Sequence, residues 1–127
     1  MNIEITPTSI APPAANYAHG ILSVGPSRIL HISGTVGVRP DGSVPDDVGE
    51  QAEVTWQNIA AICEKAGMSL ADIVSITTYA VAGEQLGGVM AARDRALQGR
   101  RVASVLITVP ALARPEWKME IAAVAAA

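Results

Sequence analysis

Few side chains in this sequence are equipped for chemistry, and their types narrow what that chemistry is. Glu120 stands in EWKMEIAAVA at 116–125, where Lys118, Ala122 and Val124 share its side of an alternating strand. Its carboxylate either pairs with Lys118 or is held in a cleft to direct a water molecule. Tyr17 follows a proline-rich stretch, where a phenol either meets a ligand or anchors a loop to the core. His19 and His31 are far apart, lack metal-ligand spacing and read as structural or surface imidazoles. Cys63 lies on an apolar helical stripe and reads as a small core residue. As the only cysteine, it excludes an intrachain disulfide and a multi-cysteine zinc site. Met90 reads as part of a second helical stripe that no cofactor needs.

Several site types are excluded by spacing. VGPSR and SGTVGVRPDG contain glycines but neither the spacing nor the lysine of a phosphate-binding loop. Ser33-Gly34 is not a nucleophile elbow, which needs Gly-x-Ser-x-Gly between a strand and a helix. The net charge of −3 and the scattering of nine basic residues, apart from Arg100-Arg101, leave no electrostatic footprint for nucleic acid. The longest apolar run, IAAVAAA, falls far short of the roughly 20 residues that span a bilayer. The start, MNIEITPTS, is unlike a secretory signal, so a cytoplasmic location is expected.

The elements that must position these residues are legible in outline. Residues 2–5 form a short edge strand, and three prolines between 6 and 16 exclude helix and central strand there. Apolar runs at 20–25 and 28–34, joined by Gly25-Pro26-Ser27, predict a hairpin. The loop 38–47 ends in aspartates suited to cap a helix from Val48 to Ala66, with Gly67 as a left-handed stop. A β-branched strand at 72–82, a helix at 84–97 weakened by Gly87-Gly88, and strands at 101–109 and 116–125 complete the chain. The order predicts one α+β domain over 1–127, a mixed sheet with two helices on one face.

That arrangement leaves a face to be covered. Ala103, Val105, Ile107 and Val109 point away from the helices yet are as apolar as the inward set. With 50% hydrophobic residues, 17% charged and no Phe, the 127-residue chain has little else to hide them. A closed ring of subunits is the economical cover, and clefts between subunits become the binding sites.

Taken together, Tyr17, SGTVGVRPDG from Ser33, EQAEVTWQNIAAICEKAGMSLADIVSITTYAV and the ending ALARPEWKMEIAAVA resemble the RidA/YjgF family over nearly the whole chain. The resemblance implies a chorismate-mutase-like α+β fold and a homotrimer with three intersubunit clefts. It also implies hydrolysis of 2-imino or 2-enamino acids to keto acids and ammonia, with no cofactor and no metal. In such a site an arginine grips the substrate carboxylate and a glutamate positions the attacking water. Glu120 falls on that glutamate, Tyr17 on a cleft tyrosine and Ser33-Gly34 on the strand end of the substrate site.

The clamp does not carry over. RVAS at 101–104 places Ala103 where the family has its arginine, Met90 stands for a helix asparagine, and Ala15-Asn16 replaces a Gly-Pro. A lost charge-assisted hydrogen bond costs about 1.5–3 kcal/mol. Arg101, about 6.6 Å earlier along an extended strand, is the first candidate substitute, and Arg114 in PALARP the second. The expected function is an imine or enamine deaminase of non-standard specificity, binding a small molecule such as a carboxylate or imine. The alternatives are a silent ligand-binding or regulatory trimer and, against the acidic balance, a ribonuclease or translation inhibitor. Neither nucleic acid nor membrane is an expected partner.

Overall fold

The computed structural model describes residues 1–127. Strand β1 (Asn2–Ile5) pairs antiparallel with β2 (Gly20–Ser23), with Ile3 opposite Leu22. Strand β3 (Ile29–Thr35) begins beyond Gly25, whose φ of +58° suits a glycine turn. The hairpin predicted between 20–25 and 28–34 does not form: β2 takes β1 as its partner, and β3 takes the last strand. The glycine-proline turn reverses nothing because both flanking strands find longer-range partners for their backbone groups.

Helix α1 (Val48–Lys65) starts where the aspartates predict, with the Asp47 carboxylate accepting from the Glu50 amide at 2.9 Å. It ends at Ala66, and Gly67 follows at φ +70°. A single 3-10 turn (Leu70–Asp72) leads into β4 (Ile73–Val81), followed by α2 (Leu86–Ala96), β5 (Ala103–Val109) and β6 (Met119–Ala126). Gly87 and Gly88, costly to a helix, have a packing reason at one position: a Cβ on Gly88 would lie 3.1 Å from the Cα of Gly49. The glycines let α1 and α2 cross closely.

The predicted single sheet is two. Strands β1 and β2 form a separate two-stranded ribbon, and the main sheet runs β3-β6-β4-β5, mixed because β4 and β5 are parallel. Both helices cover one face of it, where Trp56, Ile59, Cys63, Val89 and Ala92 meet Ile32, Ile76, Met119, Ile121 and Ala123. Most of the opposite face has no cover within the chain, the ribbon reaching it only near the end of β6, where Asn2 donates to the Ala126 carbonyl at 2.9 Å. Along it Ile29 is 57%, Val105 48% and Ile107 40% exposed, the apolar surface that strand alternation predicts.

Candidate functional site

Glu120 occupies the uncovered face. On β6 the inward residues Met119, Ile121 and Ala123 are buried, which turns Glu120, Ala122 and Val124 outward. The register places Glu120 opposite Tyr79 of β4, and Tyr79 in turn beside Ile107 of β5. On the other side β3 slips register between Ile32 and Thr35, a bulge at Ser33-Gly34. A Cβ on Gly34 would lie only 2.7 Å from Cδ and Oε1 of Glu120. The bulge and the missing side chain give the carboxyl its seat, so Ser33, Gly34 and Glu120 are one structural unit.

Of the two readings of Glu120, the pair with Lys118 does not form. The Lys118 ammonium donates to the Asp46 carbonyl and lies 4.0 Å from Glu84, and no salt bridge reaches Glu120. The carboxylate stands on an apolar face without a basic partner.

Two side chains that the sequence did not single out hold this unit in place. Gln51, fully buried on α1, donates through Nε2 to the carbonyls of Pro45 and Glu116 at 2.8 and 2.9 Å. Its Oε1 accepts from the Lys118 amide at 2.9 Å, fixing the backbone two residues before Glu120. Asn58, seven residues on and so on the same face of α1, donates to the carbonyls of Val36 and Val38 at 3.2 and 2.9 Å, just after the bulge. A glutamine and asparagine at i and i+7 on an otherwise apolar helix stripe were the available signal.

The other named residues lie elsewhere. Ala18 bridges to Ala103, with its amide donating to the Val102 carbonyl at 2.9 Å, so Tyr17 sits beside the start of β5. Its phenol oxygen accepts from the Ala14 amide at 3.3 Å, and its ring meets His19 edge-on with centroids 6.2 Å apart. Ala103 stands in the row with Ser75 and Val124, four residues along β5 from the row of Glu120. Four strand residues and two interstrand steps amount to about 16 Å. Within one protomer, Tyr17 and Ala103 are not brought to Glu120.

Arg101 precedes β5 rather than lying on the extended strand predicted to carry it, so strand alternation does not put it on the face of Ala103. Its guanidinium is paired with Glu4 at 2.7 Å. Arg114 lies over the Trp117 ring, 5.4 Å from the centroid. Met90 is half-buried on α2, part of the helix as read. Cys63 is buried in the core, and burial, reinforced by the charge of Asp72, pushes its thiol above the ordinary value. No three His, Cys, Asp or Glu side chains gather as a metal site, and no helix is long and apolar enough to cross a membrane. A cavity of about 610 Å³ opens at the helix layer between Ala60, Met68, Leu70 and Arg100, with none of the sheet-face residues in its wall.

Comparison with known proteins agrees with this architecture. A structure of a Rid-family protein from Yersinia pestis, described as of unknown function, is 28% identical, covers 99% of this chain and 98% of its own, and superposes with a TM-score of 0.88. Escherichia coli TdcF, solved with bound serine, is 26% identical, covers 96% of this chain and 93% of its own, with a TM-score of 0.72. Among curated proteins, the E. coli 2-iminobutanoate/2-iminopropanoate deaminase is 36% identical over 77 residues, 60% of this chain and 55% of the relative. A RutC family protein of Haemophilus influenzae is 36% identical over 80 residues, 62% of this chain and 60% of the relative. The chain thus matches little more than half the length of these curated relatives. The family model described as endoribonuclease L-PSP matches residues 8–127, and with these relatives beside it the chain belongs to the RidA/YjgF family.

Proposed function

We propose that three copies of this chain enclose clefts in which small imines or enamines are hydrolysed, with Glu120 directing the water and neither metal nor cofactor taking part. The observation that carries this reading is the unpaired Glu120 carboxylate, seated against Gly34 on an apolar sheet face. The uncovered face with Val105 and Ile107 supports the assembly, since a second copy would bury it, and in the proposed cleft the Tyr17–Ala103 end of one copy would face Glu120 of another. The deaminase name of the E. coli relative supports the chemistry.

In this mechanism Glu120 accepts a proton from water as the oxygen adds to the imine carbon. That proton passes to the nitrogen, and the carbinolamine collapses to a carbonyl and ammonia. A ribonuclease reading finds little on this face, whose formally charged side chain is a carboxylate that repels phosphates. Ala103 favours one second reading, a trimer that binds its ligand without turnover.

The test measures decay of imines released in situ, by an amino-acid oxidase from amino acids and by an amine oxidase from simple amines. Wild type is expected to accelerate at least one of them, and Glu120→Gln to return it to the uncatalysed rate. Uncatalysed rates for wild type across the series replace the hydrolase with the silent trimer.

A further inference from the structure

The charge inventory of the uncovered face points to a substrate class. Strand register turns outward Ile29 and His31 on β3, Glu120, Ala122, Val124 and Ala126 on β6, the alternate residues from Ser75 to Val81 on β4, and those from Ala103 to Val109 on β5. None is a lysine or arginine; Lys118, opposite Val81 just before β6, is drawn aside to the Asp46 carbonyl and Glu84. Glu120 is the one carboxylate, with Tyr79 directly across from it. Its row holds Gly34 and Ile107, and the rows beyond hold Ala122, Thr77 and Val105.

The arginines nearest by sequence are already engaged, Arg101 by Glu4 and Arg114 by Trp117. A ligand carboxylate would have to draw Lys118 away from the Asp46 carbonyl and Glu84, displace Glu4 from the Arg101 guanidinium, or lie desolvated near Glu120 without a counter-charge. A protonated imine nitrogen meets the opposite situation, a carboxylate without a partner and an apolar floor for the carbon skeleton.

We infer that this site takes a carboxylate-free imine or enamine, held through its cationic nitrogen by Glu120, with its alkyl part on Ile107 and Val105 and on the Ala103 end of a neighbouring copy. The inference rests on the proposed hydrolytic site but specifies the ligand. Hydrolysis of such a substrate adds water across C=N, breaks the C–N bond and releases ammonia with an aldehyde or ketone. The class of reaction that supplies it is oxidation of a simple amine.

Two probes of matched size separate the charge requirement from turnover. Propylammonium and propanoate are titrated against the assembled wild-type protein by calorimetry or ligand-observed NMR. Propylammonium is expected to bind more tightly, and Glu120→Gln to weaken it by about tenfold or more. Ala103→Arg is expected to reverse the preference toward propanoate. His31→Ala leaves the preference in place. Equal or tighter propanoate binding to wild type, binding of neither probe, or a preference indifferent to Glu120→Gln overturns the inference.

Turnover is read separately, with the imine released by an amine oxidase from propylamine compared with 2-iminopropanoate. Acceleration of the carboxylate-free imine is expected. Acceleration of 2-iminopropanoate alone overturns the inference and leaves the hydrolase standing. Acceleration of neither, with the ammonium preference intact, removes the hydrolase and keeps the ligand class.

Discussion

Glu120 and Gly34 act as a pair, because the second has no side chain where the first has its carboxyl. A methyl group at Gly34 would approach that carboxyl to 2.7 Å, far inside contact distance, and Gly34 is not at positive φ, so crowding rather than backbone strain decides the outcome. Gly34→Ala is expected to displace the carboxylate and lower kcat/KM at least about tenfold while the melting temperature moves little, as steady-state assays and thermal denaturation will show. Gln51 predicts a loss of stability as well. Replacing it with Leu leaves two carbonyls and one amide without their partner, at a cost of about 1–3 kcal/mol, measurable by urea unfolding.

Cys63 adds a pH dependence whose sign follows from its burial. Its folded-state value is raised above the ordinary 9.0, so the folded protein holds the thiol proton more tightly than the unfolded chain. That contribution is complete below the ordinary value and is lost as the pH climbs from there through the raised one. Urea midpoints for wild type are expected to fall more steeply than those for Cys63→Ala above a pH of about 9.

At the scale of elements, α1 does most of the positioning. Its N-terminus is set by Asp47, its inward stripe covers the sheet, and Gln51 and Asn58 tie down the segments on either side of the site. Asp47→Ala removes the cap and is expected to cost about 1 kcal/mol, a fall of roughly 3–5 °C in Tm, with no change in ligand specificity. The strand predicted over 101–109 overruns by two residues because Arg101 and Val102 lie outside the ladder that Ala103 begins with Ser75. That short excess removes the geometric basis for Arg101 as a clamp. Periodicity cannot mark such an end, since a residue just outside a ladder has the same alternation as one inside it.

For the whole molecule, the exposed face of the main sheet sets the expectation. Val105→Asp puts a charge in the middle of apolar surface that a neighbouring copy is proposed to cover, and is expected to yield monomers by sedimentation velocity. Loss of propylammonium binding in the same variant would tie the site to the assembly, whereas an unchanged oligomer would remove the proposed contact.

The helices, their caps and the two-faced strands follow from local rules, since apolar spacing and the chemistry of Asp47 and Gly67 act over a few residues. The choice of partner for each strand does not. The run at 20–25 and the run at 28–34 look like neighbours, yet β2 joins β1 and β3 joins β6, because pairing is settled by competition among strands far apart in the chain. The same long-range register places Glu120 beside Tyr79 and the Ser33-Gly34 bulge and carries Lys118 to Asp46 and Glu84. Alternation along residues 116–125 is enough to put a carboxylate on an apolar strand. That it stands there unpaired is a property of the folded chain, since a salt bridge depends on where two side chains end in space and not on their separation in the chain.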